Sequence, residues 1–123
     1  MSQAFDRIAE IMATLRAPGG CPWDRKQTHE SLQPYLLEET YEVLETIDQG
    51  DIRKLKEELG DVLLQVLFHS QIAAEAGTFT VDEVMHQLGD KLVRRHPHVF
   101  QRSSDGQPAM NSDQVVHRWE EIK

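Results

Sequence analysis

The 123-residue sequence predicts an all-α fold, and three observations carry the prediction. Apolar residues recur at spacings of three and four over most of the chain, the period of an amphipathic helix. No segment alternates convincingly with period two. Breakers at 17–20, Gly50, Gly77 and Pro97 cut the periodic stretches into helix-sized pieces.

The first helix spans residues 3–16, where Phe5, Ile8, Ile11, Met12 and Leu15 form one apolar stripe. Ala17-Pro18-Gly19-Gly20 stops it. Cys21 to Gln27, containing Pro22 and Trp23, reads as an ordered loop. The second helix runs from about Thr28 or Ser31 to Gln49, with Pro34 tolerable only in its first turn. Gly50 ends it. Asp51 caps a third, long helix that reaches Ala76, with Gly77 as the residue just past its end. Gly60 lies inside that helix, where glycine often marks a close approach by a backbone or a ligand. Thr80 and Glu83 have the spacing of a capping box and open a fourth helix, which must end by His96 because Pro97 follows. Residues 101–111 form a polar loop. Ser112 caps a short last helix carrying Val115, Val116, Trp119 and Ile122. The expected architecture is a bundle of about five helices, a single domain over 1–123, with truncation at the C-terminus left open.

Composition narrows the function classes. There are 21 acidic and 13 basic residues, a net charge of −8, so a non-specific grip on nucleic acid is not expected. The single cysteine, Cys21, cannot form an internal disulfide and reads as structural. Residues 1–7 show no apolar signal segment, and the longest apolar stretch, Val62 to Ala74, is too short and too polar to span a bilayer. The expectation is a cytoplasmic protein with no membrane partner.

The acids are clustered. Between Glu38 and Asp61 lie nine carboxylates against three cations, Arg53, Lys54 and Lys56, a net of −6 in 24 residues. Glu38, Glu42 and Glu45 stand in one row of the second helix, with Glu39 beside Glu42. A solvated acidic face accounts for that row alone equally well. The third helix adds Glu58 and Asp61 at i, i+3, and that side continues through Gln65, Phe68 and Ile72. From Val62 onward the helix is apolar almost all round and is expected to be buried, so Asp61 sits where it enters the core. A buried carboxylate needs a cation, and one metal ion can serve several. Antiparallel helices joined at Gly50-Asp51 bring four carboxylates together. Such a set suits a hard cation, Mg²⁺ or Mn²⁺. Neither Glu42 nor Glu58 has a His three residues on, which argues against a di-iron site.

Glu38-Glu39-Thr-Tyr-Glu42 followed by Glu58-Leu-Gly-Asp61 resembles the EExxE…ExxD signature of the MazG nucleotide pyrophosphohydrolases. The likeness extends to Cys21-Pro22-Trp23-Asp24 with Gln27-Thr28, and to the run from Lys91 to Phe100. It covers nearly the whole chain and looks like the N-terminal domain of the tandem members. The resemblance implies an all-α pyrophosphatase fold and at least a homodimer. It implies Mg²⁺-dependent hydrolysis of nucleoside triphosphates, NTP or dNTP, to monophosphate and pyrophosphate, in house-cleaning of the nucleotide pool. It implies Glu39, Glu42, Glu58 and Asp61 as metal ligands and Glu38 as the base for the attacking water.

Phosphoryl transfer also needs positive charge at the leaving pyrophosphate. Lys91, Arg94 and Arg95, at i, i+3 and i+4 of the fourth helix, are candidate phosphate-binding residues; complementing the helix dipole is the alternative. Lys26 is a further phosphate candidate. Trp23 is a candidate for stacking on a base, or else plugs the core or an interface. His29, His86 and His117 read as ordinary, and His69 as a core residue or one supporting the site. Two other function classes remain: a non-catalytic metal- or nucleotide-binding regulatory domain, and a helical interaction module whose acids face solvent. A third helix apolar on every side also asks for cover from a second copy of the chain.

Overall fold

The computed structural model describes residues 2–100 and 110–122. Seven helices and no strand occur among them: α1 (Gln3–Arg16), α2 (Pro22–Lys26), α3 (His29–Gln49), α4 (Ile52–Glu75), α5 (Val81–Arg95), α6 (Pro97–Phe100) and α7 (Ser112–Ile122). They group into two compact units, residues 1–81 and 82–123. The sequence-predicted helices are all present, and α2 and α6 are added to them.

In the first unit each helix end has a chemical cause. Ser2 Oγ accepts from Phe5 N at the start of α1. Thr28 and Ser31 form a reciprocal capping box at α3. At the far end of α3, Gly50 takes a left-handed φ of 68°, open to glycine without strain. Asp51 caps α4 by accepting from Lys54 N. α4 closes in a Schellman motif: Gly77, at φ 72°, donates to Ala74 O, and Thr78 N to Ala73 O.

Three expectations change. Cys21–Gln27 is not a plain loop. It holds the single-turn-plus helix α2, with Pro22 at its first position, where a missing N–H costs nothing. Pro34 lies in the second turn of α3, not the first, and the helix continues through it. And α4 is not buried all round within this chain: Leu67 and Phe68 are buried, while Leu63, Leu64 and Val66 are 44%, 37% and 42% exposed. The core is one-sided, built from Met12, Leu32, Leu67 and Phe68, with Phe5, Ile8, Ile72 and Val81 packed against it. α1 and α3 therefore cover one face of α4 and leave the other open.

In the second unit, α5 begins directly after Thr80, as the capping-box spacing requires, and ends before Pro97. Arg95 sits over the Trp119 ring, 4.8 Å from its centroid. The N-cap of α7 is Asn111 rather than Ser112. Asn111 Oδ1 accepts from Gln114 N at 2.9 Å, and Gln114 Oε1 accepts from Asn111 N at 3.0 Å. Most of the expected polar loop, 101–109, lies outside the described residues.

Candidate functional site

The α3–α4 hairpin brings acids from two helices together. Glu39 on α3 and Glu58 and Asp61 on α4 each offer a carboxylate oxygen, and the three oxygens lie within 4.8 Å of one another. Glu58 is 8% exposed, and Glu39 and Asp61 are half-buried. The cause is local: Glu58 and Asp61, one turn apart, lie on the stripe that continues into buried Gln65 and Phe68.

The cluster is electrostatically unpaid by the protein. Burial pushes the Glu39 carboxyl above the ordinary 4.5, and the charges of Asp61, Glu38 and Glu42 push it further. Burial likewise raises Glu58, helped by Glu42, Asp61, Glu39 and Glu57. Among the described residues no Lys, Arg or His lies within ion-pair distance of Glu39, Glu58 or Asp61. Three oxygen donors with mutual repulsion and no internal counter-ion fit a hard divalent cation, whose charge would reverse that repulsion.

The other sequence candidates fall in different places. Glu42 is half-buried on α3 and near enough to raise both Glu39 and Glu58, yet stands outside the three-oxygen group. Glu38 is exposed and acts on Glu39. Trp23 is 43% exposed on α2, its ring edge-on to Tyr35 at 5.6 Å and to Phe68 at 6.4 Å. Lys26 is exposed at the end of α2. Lys91 and Arg95 are half-buried and Arg94 is exposed, all on α5 in the second unit.

This arrangement matches a family. The family model for the MazG nucleotide pyrophosphohydrolase domain matches residues 27–100. The chain belongs to the MazG family. It is 56% identical over 119 residues to a Thermotoga maritima protein named nucleoside triphosphate pyrophosphohydrolase/pyrophosphatase MazG, covering 97% of this chain and 44% of that one. It is 51% identical over 120 residues to the Escherichia coli (strain K12) nucleoside triphosphate pyrophosphohydrolase, covering 97% and 44%. The crystal structure of a mazG-related protein from Thermotoga maritima superposes with a TM-score of 0.74 at 26% identity, covering 95% of this chain and 96% of that one. The MazG chain described here spans less than half the length of the curated relatives it matches. Among its described residues no helix is long and apolar enough to cross a membrane.

Two features of this MazG domain escape sequence reasoning, and a third, the burial of Gln65, is legible only through its place on the stripe of Glu58 and Asp61. His29 and His69, 40 residues apart, meet with Nδ1 atoms 2.7 Å apart, and neither spacing nor periodicity signals that. Gln27 is buried, donating to Trp23 O and accepting from Ser31 Oγ. Gln65 is buried on the acidic stripe, where an amide among apolar neighbours is the available signal.

Proposed function

We propose that this MazG domain hydrolyses nucleoside triphosphates, NTP or dNTP, to monophosphate and pyrophosphate with Mg²⁺. Mn²⁺ is the expected substitute. The observation that carries the reading is the group Glu39, Glu58 and Asp61, three carboxylates drawn together without a protein counter-ion. Relatives named as nucleoside triphosphate pyrophosphohydrolases support the reaction class.

In this reading Glu39, Glu58 and Asp61 hold the cation, and Glu42 completes the set. Bound there, Mg²⁺ supplies positive charge to phosphate oxygens and to the leaving pyrophosphate. Glu38, exposed and outside the donor group, keeps a free carboxylate that accepts the proton of the attacking water. One water is consumed for each monophosphate and pyrophosphate formed. Lys91, Arg94, Arg95 and Lys26 are assigned to phosphate oxygens, and Trp23 to the base. The cellular role is removal of unwanted nucleotides in the cytoplasm.

The reading includes a homodimer or higher oligomer. α3 leaves Leu37, Tyr41, Leu44 and Ile47 exposed at helical spacing, and α4 leaves Ile52, Leu59, Leu63 and Val66. Such stripes are the surface a second copy would cover. Sedimentation should give at least a dimer; a stable, active monomer would remove this part.

The deciding experiment is pyrophosphate release from a panel of NTPs and dNTPs, with Mg²⁺ and with EDTA, comparing native protein with Glu42→Gln. Release that requires Mg²⁺ and disappears in the variant establishes the enzyme. No release from folded protein favours the regulatory alternative. Glu38→Gln should keep metal binding and lose turnover; retained turnover removes Glu38 as the base.

A further inference from the structure

Gln65 is 5% exposed, and its carboxamide Oε1 is buried without a hydrogen-bond partner. Two other buried side chains of the same unit, Gln27 and Thr46, are paired: Gln27 bonds Trp23 O and Ser31 Oγ, and Thr46 Oγ1 donates to Glu42 O, whereas His69 Nε2 also lacks a partner. An unpaired buried carbonyl is costly, and where the fold keeps one, a missing partner is the natural explanation.

Its position says which partner. Glu58, Asp61, Gln65 and Phe68 follow one another at three- and four-residue steps on one stripe of α4. Gln65 is one turn, roughly 6 Å along the axis, beyond Asp61. One further step brings Phe68, whose ring meets Trp23. The amide thus lies between the carboxylate cluster and the aromatic pair. A carbonyl oxygen takes a hydrogen-bond donor or a cation, and the cation's oxygens are already supplied one turn away by Glu39, Glu58 and Asp61, a group that does not include Gln65, which leaves a donor. Phosphate oxygens and ionised carboxylates are acceptors, so neither satisfies it. In a nucleotide whose phosphates sit at the carboxylates, the next group outward is the sugar, and its donors are hydroxyls.

We propose that Gln65 Oε1 accepts a hydrogen bond from a sugar hydroxyl of the bound nucleotide, making Gln65 a substrate-binding residue that selects the sugar. This rests on the nucleotide reading of the site. A hydrogen-bonding pocket rejects an analogue that lacks the donor, because its own polar atom is then left unpaired.

The test measures kcat/KM for pyrophosphate release from ribo-, 2′-deoxy- and 2′,3′-dideoxynucleoside triphosphates of one base, with thermal midpoints alongside. The proteins are native, Gln65→Leu and Gln65→Met. Native protein should favour a hydroxylated sugar over the dideoxy form by about tenfold or more, and both variants should lose that preference by slowing only on the hydroxylated substrate. Loss confined to the deoxy–dideoxy comparison assigns the 3′-hydroxyl; loss in the ribo–deoxy comparison assigns the 2′-hydroxyl. The variants should melt at or above the native midpoint, since an unpaired buried amide has been removed. An equal fall on all three sugars, or none, overturns the proposal, as does a lowered midpoint accompanying a uniform loss. If native protein releases pyrophosphate from no sugar, the nucleotide reading itself fails and this assignment falls with it.

Discussion

Arg16, at the end of α1, grips Glu75, at the end of α4, with two parallel hydrogen bonds: Nε to Oε2 at 2.9 Å and Nη2 to Oε1 at 3.0 Å. The same guanidinium donates from Nη1 to the carbonyls of Asp24 and Gln27 and lies over the Phe68 ring. One side chain, 8% exposed, therefore ties α1, α2 and α4 together and fixes the segment that carries Trp23. Charge-assisted bonds to half-buried carbonyls matter more here than the ion pair, whose Glu75 end is 38% exposed. Arg16→Ala should cost about 2 kcal/mol or more, read as a lowered urea midpoint. A change within error would show that the loop holds itself.

The Glu75 carboxyl is held below its ordinary 4.5 chiefly by the Arg16 hydrogen bond, with Gln71 assisting against burial. A depressed carboxylate contributes stability above the unfolded value, and the contribution is lost as pH falls through the folded value. Native protein should therefore lose stability below about pH 4.5 faster than Glu75→Gln. Parallel acid limbs in the two melting curves would contradict the assignment.

The acidic centre has the opposite sign. Glu39 and Glu58 are raised above 4.5, so in metal-free protein their contribution is present below that value and disappears as pH rises through the folded values. Metal-free stability should decline over that range, and saturating Mg²⁺ should reverse the decline. Glu58→Gln should melt higher than native without metal, gain less from Mg²⁺, and lose activity by roughly a hundredfold or more. A variant that melts lower without metal would mean that Glu58 has a structural partner.

What sequence could reveal follows from which forces are local. Glu58 and Asp61 at i, i+3, a capping Asp51 and the glycine at position 50 are short-range signals, and they are enough to place two acids opposite a third. The helix α2 is different. Five residues cannot sustain a helix through propensity, and this one is held by Arg16, which reaches the Asp24 and Gln27 carbonyls from α1, and by the local bond from Gln27 Nε2 to Trp23 O. Pro34 passes inside α3 because a helix of 21 residues, packed through Leu32, tolerates one missing bond. Apolar periodicity told that α4 has hydrophobic residues on every side and needs more cover than one chain offers, but not that Leu63 and Val66 in particular would be the uncovered ones.

His29 and His69 also impose a pH dependence. Their Nδ1 atoms are 2.7 Å apart, so one donates and the other accepts, and adding a second proton breaks the bond. Burial, and then the neighbouring His29, lower the His69 value below 6.5, and His69 Nε2 is buried without a hydrogen-bond partner. A histidine lowered in the fold is protonated more readily when unfolded, so stability falls as pH drops below 6.5 toward the folded value. The slope of melting temperature against pH in that window should flatten in His69→Phe. An unchanged slope would assign the dependence to other groups.

Gly60 offers a test of the open face of α4. It lies between Glu58 and Asp61 inside the helix, where glycine costs about 1 kcal/mol against alanine. A Cβ built there meets nothing within 4 Å, so within this chain no steric reason for glycine exists. Gly60→Ala should therefore raise the melting temperature by a few degrees, about 3–6 °C for a domain of this size. The opposite result is equally informative. A lowered midpoint, or a shift toward monomer in sedimentation, would mean that another chain approaches α4 at this position. Helix propensity acts within the chain and is independent of protein concentration. Repeating the melt over a hundredfold dilution therefore separates the two causes: a propensity gain persists at every concentration, whereas the deficit from a blocked contact disappears as the oligomer dissociates and leaves the variant above native.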